Sequence, residues 1–134
     1  MSSMTDNTHT IAVLVDDMFF GAKINNAASV CGRAIDRIKS QEQLAALAAN
    51  APALIIIDLN SDRLDPLEAI RYLKTNTDLA RIPIVAFVSH VQTELIRSAQ
   101  ATGCDYVLPR SVFTQLLGEI VVGNLEMLKG GARD

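Results

Sequence analysis

The sequence predicts an α/β domain: a five-stranded parallel sheet, doubly wound with five helices. Three observations lead there. Apolar runs rich in β-branched residues alternate along the chain with segments of helical spacing. One run, "LIIID" at residues 54–58, stays apolar until its last residue, the pattern of a strand buried on both faces. Strands joined through helices must also run parallel or nearly so, and such a sheet is covered on both sides. With 134 residues, 49% apolar and 20% charged, the chain makes one domain over residues 10–128, with loose ends at 1–9 and 129–134.

The elements follow in order. "TIAVLV", Thr10 to Val15, is a first strand stopped by Asp16 and Asp17, and "FFGAKINNAASV" continues as a helix. "AIDRI", Ala34 to Ile38, is a short strand, and Ser40 with Gln43 forms a capping box for the helix "QEQLAALAANA". The central strand, Leu54 to Asp58, leads through a polar loop to "DPLEAIRYLKTN". There Asp65 caps, Pro66 takes the first helical position and Glu68 completes the box. Pro83 opens the strand "PIVAFV". "TELIRSAQAT" is a helix closed by Gly103, "YVL" is the fifth strand, and Ser111 is the N-cap of a last long helix reaching about Leu128.

Several function classes are excluded early. A net charge of −3 without a clustered basic face argues against nucleic acid. Cys31 and Cys104 have neither metal-ligand spacing nor a disulfide framework, which suits a reducing cytosol. The polar start "MSSMTDNTHT" is not a signal peptide, and no apolar run nears the roughly 20 residues of a membrane span. The expectation is a cytoplasmic domain that contacts neither membrane nor nucleic acid.

In parallel sheets, chemistry gathers at the carboxyl ends of the strands. Here the first strand ends in Asp16 and Asp17, the third in Asp58, the fourth in Val88-Ser89-His90 and the fifth in Pro109-Arg110. Three close carboxylates repel one another unless a cation neutralises them, and hard oxygen donors favour Mg²⁺. The pattern suggests a Mg²⁺ site beside an acid able to attack phosphorus. Each aspartate alone has a plainer reading as a helix cap or turn residue, but three at neighbouring strand ends outweigh it. A dinucleotide or flavin binder would need a glycine-rich first turn. "VDDMFFGAK" is instead acidic and bulky, and would repel a pyrophosphate.

The order, spacing and end residues "LVDD…LIIID…IPIVAFV…GCDYVLPRS" resemble the receiver domain of two-component response regulators over residues 10 to 127. The resemblance implies the flavodoxin-like topology and a phosphorelay function, with no enzymatic activity beyond self-phosphorylation and dephosphorylation at Asp58. It makes Asp58 the phosphoacceptor, Asp16 and Asp17 the acidic pair that joins it in holding Mg²⁺, and Asn60 the donor of a backbone carbonyl to the metal. A histidine kinase or phosphotransfer protein would supply the phosphoryl group. The expectation is that output comes from a separate protein, or that this is one domain of a longer chain.

The departures from the pattern are equally plain. Receivers carry Thr or Ser at the end of strand four; Val88 stands there, with Ser89 next. The lysine before a proline after strand five aligns with Arg110 without a gap, and with Pro109 if one residue is skipped. Arginine is not a conservative replacement for lysine. The reporting aromatic of strand five aligns with Val107, with Tyr106 beside it. Val88, Ser89 and Arg110 are thus the candidate phosphate and switch contacts. The alternative function is a phosphorylation-independent pseudo-receiver that binds partners or dimerises.

His90 is a solvated loop residue with a possible phosphoryl contact, and His9 has no assigned role. In the last helix, Phe113, Leu116, Leu117, Ile120, Val121 and Leu128 form an inward stripe. Val122 and Leu125 fall off it beside Gly118 and Gly123, which marks them as interface candidates for a homodimer or a partner through the last helices.

Overall fold

The computed structural model describes residues 10–89 and 92–128. Its elements are β1 (Thr10–Leu14), α1 (Met18–Val30), β2 (Ala34–Arg37), α2 (Gln41–Ala46), β3 (Leu54–Asp58) and α3 (Pro66–Thr75). There follow β4 (Ile84–Val88), α4 (Thr93–Thr102), β5 (Tyr106–Pro109), α5 (Arg110–Gln115) and α6 (Leu117–Val121). The strands form one parallel sheet in the order β2-β1-β3-β4-β5. The expected loose ends at 1–9 and 129–134, and the readings of His9 and His90, lie outside the described residues.

Alternation along the strands sorts the core into two layers. Ala12, Leu14, Ile55, Ile57, Ile84, Ala86 and Val88 pack with Leu44 of α2, Ile70 and Leu73 of α3, and Ala99 of α4. Ile11, Val13, Leu54, Ile56, Val85 and Phe87 pack with Ile24 of α1, Phe113 of α5, and Ile120 and Val121 of α6. Every residue of β3 and β4 is buried, as expected for central strands covered on both faces.

The caps show how local sequence sets the helix starts. The Ser40 hydroxyl accepts from Gln43 N at 3.2 Å, while Gln43 Oε1 reaches back to Lys39 N. Asp65 accepts from the amides of Leu67 and Glu68 behind Pro66, but Glu68 turns outward to Arg71 rather than closing a box. Gly103 ends α4 at φ +107°, a conformation that favours glycine.

The final segment departs from the single helix expected. It starts at Arg110 behind Pro109, and Ser111 makes no capping bond. The helix breaks at Leu116 and ends at Val122, where Gly123 adopts φ +87°. Phe113, Leu117, Ile120, Val121 and Leu128 are buried as the stripe requires, with Leu116 packed against them. The turn at Gly123 resets the helical phase. Leu125 therefore comes back half-buried against the core, and Val122 alone of the two interface candidates is exposed.

Both cysteines are free thiols. Cys104 is buried, and burial pushes its pKa up to about 12, so it stays protonated and serves as packing.

Candidate functional site

The register explains why the acids gather. Leu14 pairs with Ile57 and Asp58 with Phe87, so β1 hands its chain to Asp16 and Asp17 beside the residue that ends β3. Asp58 shares the alternation of Leu54 and Ile56, and so lies toward the α1 and α5 layer. It is 7% exposed, the only polar or charged residue fully buried among those described.

Its environment is mixed. Asp58 Oδ1 accepts from Asn60 N at 2.8 Å. Burial pushes its carboxyl above the usual carboxylate range; the Asn60 amide and the charge of Arg110 oppose this, while the charges of Asp16 and Asp17 add to it. The three acids and Arg110 therefore share one electrostatic neighbourhood.

Each acid of the pair also has a protein partner. Asp16 Oδ2 accepts from Asp62 N at 2.8 Å and Arg63 N at 3.1 Å, which ties the end of β1 to the loop after β3. Partial desolvation works against ionisation of Asp16. Those two amides, the Ser61 side chain and the Arg63 charge outweigh it, so its carboxyl lies below the usual range. Asp17 Oδ1 caps α1, accepting from Phe19 N and Phe20 N, and Oδ2 accepts from Arg110 Nη2 at 3.2 Å. The Phe20 amide is the chief influence holding Asp17 low; desolvation opposes it, and Arg110 and the Phe19 amide assist.

Arg110 follows directly on the end of strand five and reaches the acids. Val88 pairs with Pro109, and the next residue swings its guanidinium into the cleft, 4.3 Å from the Phe20 ring centroid and 5.8 Å from that of Phe87. Phe20, Phe87 and Phe113 pack in tilted contacts with centroids 4.6–5.7 Å apart, so the cation rests against an aromatic cluster. Nothing in the local sequence signals that cluster; it exists only once α1, β4 and α5 meet.

The other candidates separate. Val88 is fully buried among apolar side chains and carries no hydroxyl to the cleft. Ser89 is exposed, and its amide donates to Asn60 Oδ1 at 2.9 Å. Asn60 Nδ2 donates to Gln92 Oε1 at 2.8 Å, so the Asn60 side chain straps the loop after β3 to the start of α4. Sequence reasoning gave Asn60 only a carbonyl role and missed Gln92. Tyr106 is half-buried and Val107 buried.

Whether these residues suit a divalent cation follows from their chemistry. The donors are hard oxygens, and the mutual repulsion of Asp16, Asp17 and Asp58 is what a cation relieves. Among the described residues, however, no three acidic, histidine or cysteine side chains stand close enough to form a ready-made metal site. Mg²⁺ asks for only one or two carboxylates, so the donor set suits it once Asp17 exchanges Arg110 for the ion.

A scan against family models gives no match, and neither does a comparison with curated proteins. Solved structures do match. The Mn²⁺-bound form of the response regulator Rcp1 superposes with a TM-score of 0.73 at 18% identity, covering 88% of this chain and 95% of that one. The phosphorylated cyanobacterial phytochrome response regulator RcpA gives 0.72 at 22% identity, over 93% and 96%. The chemotaxis response regulator CheY4 of Vibrio cholerae gives 0.73 at 15% identity, over 86% and 97%. The chain thus has the doubly wound, flavodoxin-like fold, and within that class it has the fold of response-regulator receiver domains.

Proposed function

We propose that the chain is a receiver-type signalling module of a two-component phosphorelay, with Asp58 as phosphoacceptor. The observation that carries this reading is the placement of Asp58: a buried carboxylate with a raised pKa, at the carboxyl end of the central strand, facing two further acids and one arginine. In the reaction, an Asp58 oxygen attacks the phosphorus of a phosphohistidine on a kinase or phosphotransfer protein. A P–O bond forms, the P–N bond breaks, and the departing imidazole takes up a proton. Arg110 offsets the negative charge that gathers in the cleft. Asp16, Asp17, Asp58 and the Asn60 carbonyl would hold Mg²⁺, whose chemistry there is to neutralise the phosphoryl oxygens. Met18 and Phe19, 76% and 90% exposed beside the acids, offer an apolar landing surface to the donor protein. Val122, which is exposed, is the candidate contact for an output partner or a second copy through the last helices.

A second reading, a pseudo-receiver that works without phosphorylation, is favoured by two observations: Arg110 already neutralises Asp17, and Val88 supplies no hydroxyl at the switch position. Beryllofluoride, a phosphoryl mimic, separates the two. With Mg²⁺ present, ¹⁹F NMR should show protein-bound fluorine that disappears in Asp58→Ala. No bound signal in the parent chain would leave the second reading in place.

A further inference from the structure

Next to the acids, the carboxyl edge of the sheet carries an open pocket of about 180 Å³ lined by Val15, Asp16, Met18, Arg37, Lys39 and Arg63. Asp58 does not line it. Three cations face one carboxylate there, leaving an excess of two positive charges (three minus one).

Arg37 is held in place by the backbone. Its Nη2 donates to Val15 O at 3.0 Å. A Cβ on Gly21 would stand 2.6 Å from Nη1 and 2.8 Å from Nη2, so the missing side chain at residue 21 makes the seat for the guanidinium. Arg37 Nε is buried without a partner. A guanidinium fork matches the oxygens of a phosphate group. Arg63 has its amide on Asp16 and its Nε 4.0 Å from Asp16 Oδ1, while more than half of its side chain remains exposed.

We propose that this pocket binds a phosphate dianion, free or carried by a small ester, separately from any phosphoryl group on Asp58. Arg37, Lys39 and Arg63 take the phosphate oxygens, and Val15 with Met18 offers apolar contact to a short organic remainder. A phosphorylated metabolite held there would lie against Asp16 and its link to the loop after β3, so its level would bear on the acid cleft.

The test uses the full ¹⁵N-labelled chain in EDTA at constant ionic strength, titrated with sodium phosphate, with glycerol 3-phosphate, or with chloride as the control. Saturable shifts of the Arg37 Nε–H signal and of the Val15 and Lys39 amides are expected for the phosphates and not for chloride. Arg37→Gln and the surface change Lys39→Gln should each weaken binding about tenfold or more, Asp16→Asn should tighten it, and Arg81→Gln should leave it unchanged. Tighter binding of glycerol 3-phosphate would point to an ester, and equal binding to free phosphate. Asp58→Ala should bind as the parent does, so failure of the phosphoacceptor reading leaves this result intact. Shifts no larger than with chloride, or shifts unaltered by both Arg37→Gln and Lys39→Gln, would overturn the proposal.

Discussion

Replacing Arg110 by alanine should destabilise the domain by about 1–2 kcal/mol while opening the acid cleft to cations. Two contacts set the magnitude. The ion pair with Asp17 spans 3.2 Å, with the side chains 31% and 43% exposed, so solvent screening keeps it near 0.2–1 kcal/mol. The stacking over Phe20 at 4.3 Å adds about 0.5–1 kcal/mol. For a domain of this size the sum corresponds to a fall of roughly 4–8 °C in Tm. Urea denaturation followed by circular dichroism measures the loss, and a double-mutant cycle with Asp17→Asn assigns the ion-pair share. Arg110→Lys should keep the charge but forfeit much of the stacking, falling between parent and alanine. Repeating the series in millimolar MgCl₂ should stabilise Arg110→Ala more than the parent, because the ion no longer competes for Asp17. A match of Arg110→Ala to the parent within about 0.3 kcal/mol, or an equal loss in the Asp17→Asn background, would refute the Asp17–Arg110 pairing.

Other expectations follow from the same geometry. Asp58→Asn should be more stable than the parent at neutral pH. Burial raises the folded-state pKa of Asp58, so the folded chain binds its proton more readily than the unfolded chain and loses stability as pH rises through that window. The advantage of Asn should therefore shrink as pH falls and Asp58 protonates, which paired urea titrations across the acid range will show; a constant difference would refute the raised pKa. Val88→Thr places a hydroxyl in a fully buried apolar position and should cost about 1–3 kcal/mol in urea unfolding unless the hydroxyl finds a partner in the cleft. Gly103→Ala, at φ +107° and with Lys74 Cγ 3.3 Å from the added methyl, should lose about 1–2 kcal/mol by the same measurement.

Much of the architecture was legible in the residues because the signals were local. Unbroken apolar runs marked β3 and β4, Asp65-Pro66 marked the start of α3, and Gly103 marked the end of α4. The acids were legible too, since a parallel sheet brings strand ends together whatever lies between them. The final helix misled because its apolar spacing continues past the point where the backbone turns: Gly123 reads as a tolerated interior glycine until its positive φ is seen. The partners of the acids were hidden for another reason. Arg110 on Phe20, the Asp62 and Arg63 amides on Asp16, and Gln92 on Asn60 join residues far apart in sequence, and no local pattern encodes such pairings.

The most direct test is covalent. The chain is incubated with a small acyl phosphate and Mg²⁺, its intact mass is measured, and the modified residue is located by peptide mapping. One added phosphoryl group, labile to hydroxylamine, mapped to Leu54–Asn60 and absent from Asp58→Ala, is the predicted outcome. An unchanged mass, or an equal gain in the alanine variant, would contradict the assignment of Asp58 as acceptor.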